Sequence, residues 1–150
     1  MTDARVLGPG LAPTPFTAAE IREGCRDGRS VLVRTELDGL TSYHCDSFAA
    51  GDAEGCELTQ VVTDASGTPV DEPRPSRVTW RELQEHAAFP ADATTVEPER
   101  VATPIGELDC LRYDVRREGG TSTFWFATAH PGMPVRYRTG TALVEVIAID

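Results

Sequence analysis

Thr103-Pro104-Ile105-Gly106-Glu107-Leu108-Asp109-Cys110-Leu111-Arg112-Tyr113-Asp114-Val115, then Phe124-Trp125-Phe126-Ala127 and His130-Pro131-Gly132-Met133-Pro134-Val135, read as turn, strand, turn, strand, turn, strand. Polar and apolar side chains alternate between the Pro and Gly punctuation, as in strands that bury at least one face. This stretch specifies an antiparallel β-sheet.

The rest of the chain extends the pattern. Residues 30–37 alternate through Val31, Val33, Thr35 and Leu37, and Asp38-Gly39 is a hairpin turn of the kind that needs two left-handed residues. The alternation predicts strands over 30–37, 40–48, 56–63, 95–102, 107–117, 122–129, 135–139 and 142–149. Gly119-Gly120 and Thr139-Gly140 supply further turns, and short turns joining successive strands make a meander. Asp71-Glu72-Pro73-Arg74-Pro75 reads as an irregular connection. The last strand is apolar on both faces except at Glu145, so it is expected in the interior of the sheet.

Two short helices interrupt the strands. Thr17 and Glu20 have capping-box spacing, and Phe16 and Ile21 have that of a hydrophobic staple. A helix is expected from Ala18 to Gly24. Thr79, Glu82, Val78 and Leu83 repeat the pattern, and the second helix is expected to reach about Ala88, ahead of Pro90. Trp80, Leu83 and Ala87 share a face that should lie on the sheet. Residues 1–14, with Gly8-Pro9-Gly10 and Pro13-Thr14-Pro15, read as an extended arm ahead of a single domain over 15–150. The expected fold is α+β: a curved antiparallel sheet, a half-barrel of about seven to nine strands, with two short helices on one face.

The chain has 150 residues, and 40% of them are hydrophobic, enough for a core without staples. Its net charge of −10 argues against partners that need a basic surface, so neither nucleic acid nor an anionic membrane is expected. All 14 basic residues are Arg, a usage that fits a GC-rich bacterial genome. No apolar stretch follows Met1-Thr2-Asp3-Ala4-Arg5, and a cytoplasmic protein is the expectation. Cys25, Cys45, Cys56 and Cys110 then read as free thiols. The spacing of the Cys and His residues matches no metal motif, and neither metal nor other cofactor is expected.

Several constellations carry two readings. In Tyr43-His44-Cys45-Asp46, His44 and Asp46 share a strand face, either as an oriented general base or as a solvated pair with Tyr43 and Cys45 packed inward. His130 sits in a turn shaped by Pro and Gly, and it joins His44 and Asp46 as a candidate catalytic residue. Cys110 reads either as a nucleophile or as a small buried hydrophobe. Arg34, Glu36, Arg112, Asp114, Arg116, Arg136, Arg138 and Glu145 read as a salt-bridged outer face, or as a pocket floor that holds an anion through Arg112, Arg136 or Arg138. Trp125 lies on the strand face opposite Phe124 and Phe126, which requires cover on both faces. With Tyr137 it is a candidate pocket wall, with Arg112 as polar anchor.

The string Thr-Pro-x-Gly-x-Leu-x-Cys-x-x-Tyr-x-Val, followed by Phe-Trp-Phe, resembles small, mostly uncharacterised bacterial β-rich proteins over residues 95–139. The meander with two helices is similar to the lipoprotein-carrier-like fold, a curved half-barrel that holds helices in its concavity. That resemblance implies a cavity and brings no catalytic residue with it. Three functions follow as expectations: binding of a small, partly apolar molecule in the concavity; a cofactor-free isomerase or cyclase of bacterial specialised metabolism in the same cavity; or a protein–protein interaction module. The oligomeric state is left open.

Overall fold

A computed structural model describes residues 3–150. Helix α1 (Ala18–Gly24) precedes strands β1 (Ser30–Leu37), β2 (Leu40–Ala49), β3 (Gly55–Thr63) and β4 (Arg74–Thr79). Helix α2 (Trp80–Glu85) and a 3-10 turn (Ala91–Ala93) lead to β5 (Thr94–Thr103), β6 (Gly106–Arg117), β7 (Gly120–Ala127), β8 (Arg136–Thr139) and β9 (Ala142–Ile149). All nine strands form one open sheet, ordered β4-β3-β2-β1-β9-β8-β7-β6-β5, and every neighbouring pair is antiparallel. The fold is α+β, with two meanders joined where β9 pairs with β1.

Local chemistry explains the element starts. Thr17 Oγ1 accepts the Glu20 N–H at 3.2 Å, and Glu20 Oε1 accepts the Thr17 N–H at 3.0 Å. The reciprocal pair at Thr79 and Glu82 has both bonds at 3.0 Å. Each box satisfies first-turn donors that a helix leaves open. Asp38 and Gly39 both take positive φ, 50° and 80°, as the tight β1–β2 hairpin requires. α2 is shorter than its sequence pattern suggested. Beyond Glu85 the Ala87 and Ala88 amides bond three residues back, to Gln84 and Glu85, so the last turn tightens and ends.

Strand β4 corrects the reading of residues 71–75 as wholly irregular. Arg74 and Pro75 belong to a strand paired with β3. Proline lacks the N–H a central strand would donate, but β4 is an edge, and the other edge, β5, also carries a proline, Pro98. Both edges are thereby blunted against further pairing.

β9 lies inside the sheet between β1 and β8, as its two-sided apolar pattern requires. One face packs against the helices. Its core joins Phe16, Ile21, Trp80, Ala87 and Phe89 to Val31, Val33, Phe48, Tyr113, Val115, Phe126, Val144 and Val146. Phe89 stacks on Phe124 with centroids 4.9 Å apart, and Tyr113 meets Phe126 edge-on at 5.3 Å. Such pairs add about 0.5–1.5 kcal/mol each beyond their buried area.

The other face is covered too. Val101, Cys110, Ala127 and Val135 form a second small core there, with Trp125 against it. Arg136 on β8 donates to the Ala102 carbonyl on β5 at 2.9 Å. Three strand spacings separate β8 from β5, about 14 Å in a flat sheet. The sheet is therefore curved, and its β5–β6 end rolls toward the face away from the helices.

The segment before α1 is docked rather than extended. Thr14 N–H bonds back to the Arg5 carbonyl, Ala12 N–H to the Phe89 carbonyl, and the Tyr113 hydroxyl donates to the Pro13 carbonyl at 2.7 Å. Burial pushes the Tyr113 phenol up to about 12. The part of the expected arm at residues 1–2 lies outside the described residues. No helix among the described residues is long and apolar enough to cross a membrane.

Candidate functional site

Between the helix layer and the sheet lies a cavity of about 360 Å³. Its walls are mostly apolar: Phe48, Leu58, Phe89, Phe124, Phe126 and Met133 come from β2, β3, the segment after α2, β7 and the β7–β8 loop. Tyr137 on β8 lines it, while Gln60 and His86, both exposed, stand at its mouth. A cavity of this size and lining is typical of small-molecule sites. A larger trough, about 760 Å³, runs between α1, the loop at residues 51–54 and α2. It is open, and exposed charged side chains such as Arg22, Glu23, Arg26 and Asp27 line much of it, so it encloses far less of any ligand.

Asp46 is the polar group that sets the smaller cavity apart. Its side chain is 8% exposed, and it lies in the cavity wall. Oδ1 is buried with no hydrogen-bond partner among the described residues. His44 Nε2 stands 3.6 Å from Asp46 Oδ2, close enough for charge to matter and too far for a hydrogen bond. A buried acceptor left open costs about 1–3 kcal/mol and calls for an explanation.

Register explains this burial. β2 pairs Val33 with His44 and Val31 with Asp46, so both polar residues share the helix-side face with the valine core. Tyr43 and Cys45 take the opposite face. The solvated-pair reading of His44 and Asp46, with Tyr43 and Cys45 inward, is thus corrected. The signal was present: Phe48 has the parity of His44 and Asp46, and Phe48 is core.

The other candidates fall elsewhere. Tyr137 pairs with Phe124 and shares its face, whereas Trp125 pairs with Arg112 and with Arg136 on the far face. Tyr137 therefore lines the cavity, and Trp125 and Arg112 do not. Trp125 Nε1 donates to Glu99 at 2.9 Å, and the Arg136 guanidinium lies 5.5 Å from its ring centre. Arg112 is held by Glu97 and Asp114, each at 3.0 Å, and by Glu99. Glu145, 9% exposed, bridges Arg34 and Arg136, at 2.9 Å to each. On this face Arg34, Arg112 and Arg136 are engaged by the protein's own carboxylates, which is the salt-bridged arrangement, whereas Arg116 bonds the Asp92 carbonyl and Arg138 is exposed with no ion pair among the described residues.

His130 sits in an adjoining recess of about 20 Å³ with Arg29, Val31 and Val135, sharing Cys25, Phe48 and Met133 with the main cavity. That volume holds about one water. Burial, with the Arg29 charge adding to it, holds the imidazole below its usual range. His130 does not join His44 and Asp46 in one catalytic group. All four cysteines are free thiols, and burial raises each above the ordinary thiol value, Cys25 to about 11. That is the opposite of an activated nucleophile, and Cys110 packs in the second core. The residues sequence reasoning missed are the cavity's own: Leu58, Gln60, His86, Phe89 and Met133. They come from β3, the segment after α2 and the β7–β8 loop, and no local pattern links them.

No protein-family model matches the chain, and no curated protein matches it.

Proposed function

We propose that the protein binds a small, partly apolar molecule in the cavity between its helices and its sheet. The observation that carries this reading is the 360 Å³ space walled by aromatic and aliphatic side chains, with Asp46 in its wall and Tyr137, Gln60 and His86 around it. In this reading the helices roof the site on one face of the sheet, while the β5–β6 end curls toward the opposite face, so the site lies outside that curl rather than in a helix-filled concavity. The protein is bacterial and cytoplasmic in the same reading.

A panel of small, partly apolar molecules, scored by thermal shift, tests it. Hits should raise the melting temperature of the parent protein. They should be lost in Ala87→Phe, which places a ring inside the cavity wall. Failure of every molecule, or hits that persist in the filled variant, would remove this function.

A second reading is favoured by the approach of His44 to Asp46 at 3.6 Å. A cofactor-free isomerase or cyclase would use Asp46, which lines the cavity with His44 beside it, to move a proton on a substrate held against the aromatic wall. Turnover of a hit from the panel, abolished by His44→Gln with binding retained, distinguishes the enzyme from the binder.

A further inference from the structure

We infer that the cavity ligand is an amine: a protonated nitrogen on an aromatic or aliphatic body, with the nitrogen seated on the Asp46 carboxylate. The inference rests on the cavity being a ligand site and names the class of ligand it takes. Asp46 is more than nine-tenths buried, and one of its oxygens has no hydrogen-bond partner among the described residues. A buried carboxylate is costly unless a donor or a positive charge faces it. The residues that flank Asp46 on its own face do not supply one fully. His44 stops at 3.6 Å and bonds neither oxygen, and Gln60, its cross-strand neighbour, turns toward solvent. Oδ1 is closed to a water-sized group as well as unpaired, so an ammonium in the cavity would pair with Oδ2, the oxygen that His44 leaves unbonded, and cancel the charge.

The remaining walls fit the same ligand. Phe48, Phe124 and Phe126, with Phe89 and Tyr137, present π-faces and edges, and cations are attracted to aromatic faces. Phe89 and Phe124 already show that capacity. The Arg117 guanidinium lies 5.8 Å from the centre of the first ring and 6.0 Å from that of the second, without lining the cavity. Cys25, the other titratable group deep in the wall, is kept neutral by burial, and His86 stands exposed at the mouth. The net charge of −10 also raises the concentration of cations near the surface. An anion would meet Asp46 with no arginine or lysine in the wall to offset it.

Calorimetry with three near-isosteric probes tests the class: tryptamine, tryptophol and indole-3-acetate, carrying a positive, a neutral and a negative end. Tryptamine should bind about tenfold or more tighter than tryptophol, the gain expected of a charge-assisted hydrogen bond, and indole-3-acetate should bind weakest. Asp46→Asn should bring tryptamine down to the level of tryptophol, and should melt no lower than the parent, since it removes an unpaired buried charge. Equal affinity for all three probes, or preference for indole-3-acetate, would overturn the amine class while leaving an apolar binding cavity in place. No binding of tryptamine to the parent overturns it as well, and hits from the wider panel then show whether the cavity itself still stands. The three-probe comparison on the parent protein decides the matter even if Asp46→Asn does not fold.

Discussion

The side chain of Gln84 on α2 caps the first turn of α1, its Oε1 accepting the Ala18 N–H at 2.9 Å. Its Nε2 donates to Thr14 Oγ1 at 3.0 Å and to the Ala4 carbonyl at 2.9 Å. One buried amide thus joins both helices and the N-terminal segment. Gln84→Leu should cost about 1–3 kcal/mol for the polar groups it leaves unpaired. It should also speed proteolysis before residue 15. Denaturant melts and limited proteolysis check this, and a variant as resistant as the parent would mean that the segment is held by Tyr113 and Phe89 alone.

The two capping boxes should matter separately. Thr17→Ala and Thr79→Ala should each lower stability by about 0.5–2 kcal/mol, because each strands a first-turn N–H. Thr79 also ends β4, whose neighbour Gly55 leaves no room for a side chain. A Cβ there would sit 2.0 Å from the Val78 carbonyl oxygen. Urea melts of both variants measure the cost, and parent-like midpoints would show that tertiary packing holds the helices without their caps.

Trp125 should prove structural. It is half-buried on the face away from the cavity, between Glu99 and Arg136. Trp125→Ala should cost about 2–3 kcal/mol, below the roughly 3–5 kcal/mol of a fully buried tryptophan. Ligand affinity should be unchanged, whereas Tyr137→Ala should weaken it. Calorimetry on both variants decides, and a loss of binding at Trp125 would move the site to the other face.

Acid should act through His130. Its native value is depressed by burial, and by Arg29, below 6.5, so the unfolded chain takes up the proton first as pH falls. The stability this imidazole contributes is complete above about pH 6.5 and is lost as pH falls through the lower native value. Urea midpoints at about pH 7.5 and pH 5 should drop further for the parent than for His130→Gln. Equal drops would assign the acid sensitivity to the carboxylates.

The sequence by itself determined the elements. Period-two alternation, Asp38-Gly39 and the two Thr-x-x-Glu boxes are local signals, and each turned into the strand, hairpin or capped helix it encodes. The interior place of β9 was legible for the same reason, because a strand apolar on both faces needs cover on both. Tertiary structure decided which face of each strand the helices would take. Alternation marks two faces without naming them, so His44 and Asp46 read as solvated until register set them beside Val33 and Val31. It also decided that Trp125 and Tyr137 look away from each other. Their strands pair Tyr137 with Phe124 and Trp125 with Arg136, a register that neither residue specifies locally. Pro75 suggested a break, yet it sits in a strand because an edge has no partner awaiting its missing N–H. The cavity was the least legible of all. It is the space left between both helices, four strands and two connecting segments, and an unpaired oxygen on Asp46 exists only when the whole chain has packed around it.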